Sequence, residues 1–166
     1  MAKFDHEDVL SYCDSFSRLP TLLEIAHEMH PREWLKVLGD EWSGCDNIGY
    51  HIDDLADQLQ FYQYPIREMM DLDEQRKYDE LPEIVEIYRG CYSNNKRGMS
   101  WSLVRAVAEK FPFLLRYRQP GQPLLVRARV RKSDIVAVKL DRGEMEIITF
   151  NVKIISTSHV KKKEKV

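Results

Sequence analysis

What the chain has little of narrows its class first. No stretch approaches the roughly 18 consecutive apolar residues of a membrane-spanning helix, so no span and no membrane partner is expected. Cysteine is scarce: Cys13, Cys45 and Cys91 are odd in number, far apart and never arranged as Cys-x-x-Cys. That excludes a disulfide framework and a zinc ribbon. The start, Met1-Ala2-Lys3-Phe4-Asp5-His6-Glu7-Asp8, has no apolar signal core and is too acidic for a transit peptide. A reduced, soluble, cytosolic protein is the expectation. Repeats and low-complexity tracts are missing too. Net charge is also scarce, −2 over 166 residues, which on its face excludes an electrostatic specialist. The length is that of one domain or one domain with an added subdomain, and it can bury a core without metals or disulfides to staple it.

The near-zero charge hides a division. Residues 1–87 hold 21 Asp+Glu against 7 Lys+Arg, a net of −14, and residues 88–166 hold 6 against 18, a net of +12. The basic half suits anions, phosphates above all, and the two halves are able to attract one another. The bland counterpart is a set of solvated faces, since surface charge is mainly a solubility device.

The acidic half has helical spacing. Val9, Cys13 and Phe16 recur on one face, as do Leu22, Leu23, Ala26 and Met29, and then Ile48, Ile52, Leu55 and Leu59. Pro20 and Pro31 punctuate the first part, and Gly44 and Gly49 loosen the middle. Asp53, Asp54 and Asp57 make a solvated face, and Trp34, Leu35, Leu38 and Trp42 are expected in the core. His27, Glu28 and His30 do not form a metal site, because i, i+3 histidines miss the His-x-x-x-His spacing that puts two imidazoles on one helical face. Cys45-Asp46-Asn47 has no histidine placed to activate it, so Cys45 reads as a structural thiol. No metal is expected anywhere.

After Pro82 the pattern turns to strands. Ile84-Val85-Glu86-Ile87-Tyr88 is β-branched and aromatic and ends at Arg89-Gly90; Ser93 to Gly98 is a loop by composition. Met99-Ser100-Trp101-Ser102 follows, then a helical stripe of Leu103, Val107 and Phe111. Leu124 to Arg131 alternates, with Val126, Ala128 and Val130 against Arg127, Arg129 and Arg131. Ile135 to Val138 has the composition of a fully buried strand, Asp141-Arg142-Gly143 of a tight turn, Glu144 to Ile148 of another strand, and Val152 to Ile155 of the last. Lys161, Lys162 and Lys163 begin a basic tail expected to be disordered.

Within this half, Glu144 and Glu146 at i, i+2 of a strand would share a face, about 6–7 Å apart at Cα. Adjacent carboxylates raise one another's pKa, and in a cleft they suit a reaction that develops positive charge, such as glycosidic cleavage; a solvated strand face is the alternative. Arg89 before Gly90 is a candidate anion clamp, since guanidinium pairs bidentately with phosphate and glycine lets backbone approach a ligand.

The order Tyr88-Arg89-Gly90, then Ser100-Trp101-Ser102, then Glu144-Met145-Glu146 resembles the R-S-E class of mono-ADP-ribosyltransferases, over about residues 84–150. The resemblance implies NAD as substrate, transfer of ADP-ribose to a macromolecular acceptor and release of nicotinamide. It makes Arg89 the brace of the NAD phosphates and the nicotinamide-side ribose, and Gly90 the backbone holder of the nicotinamide amide. Ser100 would support the catalytic glutamate, with Ser102 as its companion. Glu146 would bind the ribose 2′-OH and stabilise the oxocarbenium ion. Glu144 would recognise the acceptor, in the position that goes with arginine. Trp101 stands where a small polar residue is common, and its indole would pack inward or stack on the ligand. Only eleven positions separate Arg89 from Ser100, which requires a compact loop. A literal Ser156-Thr157-Ser158 follows the glutamates and is out of order.

The expected architecture is α+β: an acidic helical region over 1–82 packed on a small split β-sheet, ADP-ribosyltransferase-like region over 83–160, and a disordered tail over 161–166. The competing expectation is a non-enzymatic nucleic-acid-binding module. It would use Arg127, Arg129 and Arg131 for phosphates and Tyr88, Tyr92 and Trp101 for base stacking.

Overall fold

The computed structural model describes residues 4–163. Of the tail expected to be disordered, residues 164–166 lie outside the described residues; 161–163 are exposed and without secondary structure. Among the described residues the fold is α+β, with six α-helices and one six-stranded antiparallel sheet. No helix is long and apolar enough to cross a membrane.

The acidic half forms α1 (His6–Ser11), α2 (Arg18–Glu24), α3 (Pro31–Glu41), α4 (Ile52–Leu59) and α5 (Leu72–Glu80). Their ends follow local chemistry. His30 caps α3 by accepting from the Arg32 N–H, and Pro31 fills the first helical position, where its missing N–H costs nothing. Asp71 and Glu74 form a reciprocal capping box at α5. On α3 the stripe Trp34, Leu35 and Leu38 is buried, as its spacing predicts, and the Trp34 indole donates to the Leu22 carbonyl at 2.7 Å.

The basic half supplies β1 (Ile84–Cys91), β2 (Ser100–Ser102), α6 (Arg105–Lys110), β3 (Leu124–Arg131), β4 (Ile135–Lys139), β5 (Glu146–Thr149) and β6 (Lys153–His159). The strands lie in the order β4-β5-β2-β1-β3-β6. A split sheet was expected; the six strands instead form one continuous order, with a weak seam between β1 and β2. There the ladder holds only at Tyr88 opposite Ser102, whereas β1 and β3 pair along their whole length. The alternation on β3 is as expected: Val126, Ala128 and Val130 are buried and Arg129 and Arg131 exposed. Ser156, Thr157 and Ser158 run along the exposed edge strand β6 and take no part in the cavity described below.

One expectation fails. Glu144 does not belong to a strand. It sits in right-handed helical backbone, and Met145 after it has φ 45°, so β5 begins only at Glu146. The tight turn at Asp141–Gly143 overruns the strand pattern by one residue pair.

Every residue of β4 is buried, including Lys139. This edge strand is covered by the segment that leads into and through α5, as an edge must be to avoid pairing elsewhere. The Ile66 N–H donates to the Val136 carbonyl at 2.8 Å. Lys139 Nζ reaches Glu74 at 2.9 Å and the Met69 carbonyl at 3.0 Å, and the other Glu74 oxygen accepts from the Leu140 N–H. A single apolar core runs from Leu10 through Trp34, Leu55 and Met69 to Val126 and Ile148, joining the two halves of the chain.

Glu74 and Lys139 are 1% and 5% exposed, so removing one partner leaves the other charge uncompensated in the interior. Glu74→Ala should lower the unfolding free energy by about 3–5 kcal/mol, measured by urea denaturation. A loss below about 1 kcal/mol would show that the pair does not hold α5 to β4.

Candidate active site

The seam between β1 and β2 is where the sheet opens. Arg89, near the end of β1, directs its guanidinium across it: Nη1 donates to the Ser100 carbonyl at 2.6 Å, and Nε to the Asn95 carbonyl at 3.0 Å. Gly98 makes room for this, since a Cβ there would lie 2.2 Å from the guanidinium. The eleven-position loop is compact enough because Arg89 itself ties it down. No carboxylate lies within ion-pair distance of Arg89 among the described residues. Burial pulls its pKa below the ordinary arginine value, with Cys91 and Glu146 offsetting part of the effect. A half-buried cation whose hydrogen bonds go to neutral carbonyls keeps its attraction for an anion.

Ser100 starts β2 and lies opposite Ile148 on β5, two positions along from the Ser102–Glu146 pair. Its hydroxyl donates to Glu146 Oε1 at 2.5 Å. A second donor to the same oxygen comes from the acidic half: Trp42 Nε1, in the turn that closes α3, at 3.1 Å. Loss of hydration pushes the Glu146 carboxyl above the ordinary glutamate value, and the Ser100 and Trp42 hydrogen bonds pull it partly back.

These groups line a cavity of about 300 Å³, the lower end of the range for small-molecule sites. Arg89, Gly90, Ser100, Glu144 and Glu146 all face it. Glu144 shares the cavity with Glu146 through the bent backbone at Met145 rather than by strand alternation. Burial raises its carboxyl too, with Arg142 and Arg116 opposing. The rest of the wall includes stacked Phe111 and Tyr117, whose ring centroids are 4.7 Å apart, and Arg116, ion-paired with the buried Asp46. Among the described residues, the three non-glycine residues with positive φ, Asn47, Arg142 and Met145, are all at or between cavity-lining positions. Such backbone costs on the order of 1–3 kcal/mol apiece and collects at functional sites.

Trp101 and Ser102 line a smaller cleft on the same seam, shared with Arg89, Gly90, Ser100, Glu144 and Glu146. Trp101 is 2% exposed and faces the core, its indole donating to the Gly98 carbonyl at 2.8 Å, so it packs inward and does not line the main cavity. Ser102 is buried as well: its hydroxyl donates to the Glu144 carbonyl at 2.7 Å and accepts from the Val104 N–H, pinning the turn that carries the two glutamates. Gly90 lines the cavity, but its lack of a side chain is required by α6, because a Cβ would lie 1.9 Å from the Ala108 carbonyl oxygen. Cys45 is structural, as expected; burial pushes its thiol up to about 12. His30 is engaged as the α3 cap, and His27 bonds to the Glu24 carbonyl and to Glu28.

The surface proposed for nucleic acid is mixed. Arg127 pairs with Glu86 at 3.1 Å, Tyr88 donates to that same carboxylate, and Tyr92 is buried with its hydroxyl on the Pro112 carbonyl. Sequence reasoning missed Trp42, Asp46, Arg116 and Tyr117 as wall residues. None carries a local motif; only the fold brings them to Glu146. No protein-family model, curated protein or solved structure matches the chain.

Glu146 has a folded-state pKa above its unfolded value, so its contribution to stability is complete below the unfolded pKa and is lost as pH rises through the folded one. Glu146→Gln cannot ionise and should escape that loss. Its urea midpoint relative to wild type should climb as pH is raised from the ordinary glutamate range towards neutrality. A relative midpoint that stays flat or falls over this interval would contradict the burial of a charged carboxylate here.

Proposed function

We propose that the protein is a mono-ADP-ribosyltransferase that cleaves NAD and transfers ADP-ribose to a macromolecular acceptor. The observation that carries this is the convergence of Arg89, Ser100 and Glu146 on one cavity, with the serine hydroxyl on the glutamate carboxylate. Three residues from separate strands, first connected by their motif order, lie where a single substrate would meet all of them.

The chemistry follows from the charges. Arg89 keeps N–H groups beyond the two spent on carbonyls, and these meet a pyrophosphate oxygen. Glu146, ionised and aligned by Ser100, accepts from the ribose 2′-OH and faces the ring as it becomes cationic. The C1′–N bond breaks, nicotinamide leaves with the bonding pair, and the acceptor nucleophile adds to C1′ and sheds its proton. No protein nucleophile is needed; the side chains contribute position and a preorganised negative charge. Glu144, flanked by Arg142 and Arg116, stands on the acceptor side, and a protein arginine is the acceptor that suits a carboxylate there. As a nucleic-acid module the protein would lose Tyr92 and Trp101 as stacking platforms, because both are buried.

The test is incubation with NAD and a cell lysate, reading nicotinamide release and label transfer. Wild type should do both; Glu146→Ala should reduce turnover by on the order of a thousandfold while remaining folded. Arg89→Lys, which cannot hold two carbonyls and an anion together, should raise KM for NAD about tenfold or more. Undiminished turnover in Glu146→Ala, or none in wild type under conditions where NAD binds, would overturn the assignment.

A further inference from the structure

Residues 42–47 end the first block of the acidic half, and three of them touch residues of the cavity. Trp42 Nε1 donates to Glu146 Oε1 at 3.1 Å, the Ser43 carbonyl accepts from Arg142, and the Asp46 carboxylate pairs with Arg116. The segment is itself fixed from behind: Cys45 is buried, and the Asp46 N–H donates to the Ser15 carbonyl at 2.8 Å. Trp42 is 1% exposed, so its single N–H has to find an acceptor inside the protein. Trp34, about two helical turns earlier and equally buried, uses a backbone carbonyl. Trp42 uses the side chain at the centre of the cavity.

We propose that Trp42 is a positioning residue for Glu146, so that the acidic helical half is part of the catalytic machinery; this rests on the transferase reading above. Ser100 and Trp42 both donate to Oε1, from β2 on one side and from the end of α3 on the other. Two donors on one oxygen fix the rotation of the carboxylate. Oε2, which receives no hydrogen bond among the described residues, is then the oxygen presented to the 2′-OH of the substrate. With Ser100 alone the carboxylate can swing about the serine contact and exchange its oxygens; the indole prevents this.

The other charged groups around Glu146 are Glu144 from the preceding turn, Lys139 opposite it on β4, and Arg89 across the seam on β1. None of them changes when Trp42 loses its N–H. Trp42→Phe removes that donor together with part of the ring's volume, a loss the control below shares, and it should shift Glu146 ionisation to higher pH, because a hydrogen bond to the charged form has been lost. In NAD cleavage kcat should fall on the order of tenfold while KM for NAD changes less than about threefold. The acid limb of the kcat profile should move to higher pH. Trp34→Phe is the matched control: it deletes the same kind of donor and the same ring volume from within α3 and should lose stability, leaving the pH limb in place.

Activity is not the sole readout. The Glu146 carboxyl carbon, identified by its loss in Glu146→Gln, can be titrated by NMR in wild type and in Trp42→Phe. Its midpoint should rise in the variant. An unmoved midpoint, or a Trp42→Phe profile indistinguishable from that of Trp34→Phe, would overturn the inference. Wild type that cleaves no NAD would overturn the transferase reading, and the carboxyl titration would still decide whether Trp42 holds Glu146. Should Trp42→Phe fail to fold, the wild-type indole resonance decides: Trp42 Nε1–H should titrate with the Glu146 midpoint in wild type and not in Glu146→Gln. An indole insensitive to that ionisation would overturn the inference.

Discussion

A carboxylate that has given up much of its hydration and is held on one oxygen by a serine and a tryptophan sets the terms for the rest of this molecule. The hydrogen bonds from Ser100 and Trp42 offset part of the cost of desolvating the Glu146 carboxylate. Ser100 can do so only if β2 pairs with β5 in the observed register. Trp42 can do so only if the end of α3 is held against the sheet. The second requirement explains why the helical half is bound so firmly to β4, through Ile66, Met69 and the buried Glu74–Lys139 pair. The fold's two halves meet at the one carboxylate that needs both.

The charge division acquires a physical meaning in this arrangement. The −14 and +12 of the two halves do not merely attract at long range. They meet in specific pairs, Glu74 with Lys139 beneath the sheet edge and Asp46 with Arg116 at the cavity wall. Arg89 is different, half-buried at the seam and bonded to carbonyls. That unspent charge is the basis for proposing an anion at the seam between β1 and β2.

Much of this was legible in the sequence wherever a local rule decides the outcome. The β3 alternation, the buried composition of β4, the loop between Arg89 and Ser100 and the stripe on α3 all follow from period and propensity. The grouping of Arg89, Ser100 and Glu146 came from a family resemblance in motif order and not from period or propensity. Asp71-x-x-Glu74 carried a capping-box signature that would have announced α5. Two kinds of feature were not legible. The left-handed backbone at Met145 broke the strand expected from Glu144 onward, because a non-glycine residue at positive φ gives no compositional warning. Trp42 and Asp46 carried only a core and a loop signal, since their partners lie more than 60 positions away. Trp101 and Ser102 also brace the core and the turn, a role that motif position does not announce.

The central claim is that NAD binds in the cavity where Trp42 meets Glu146, and the three indoles report on it directly. A carbocyclic NAD analogue, with the ribose ring oxygen replaced by carbon, cannot form the oxocarbenium ion and so survives a titration. Followed by NMR on wild-type protein, it should compete with NAD and shift the Trp42 indole N–H most, while the Trp34 indole, bonded to Leu22 in the core, stays in place. Saturable binding that leaves Trp42 unmoved, or that moves Trp34 and Trp42 alike, would contradict the placement of the substrate.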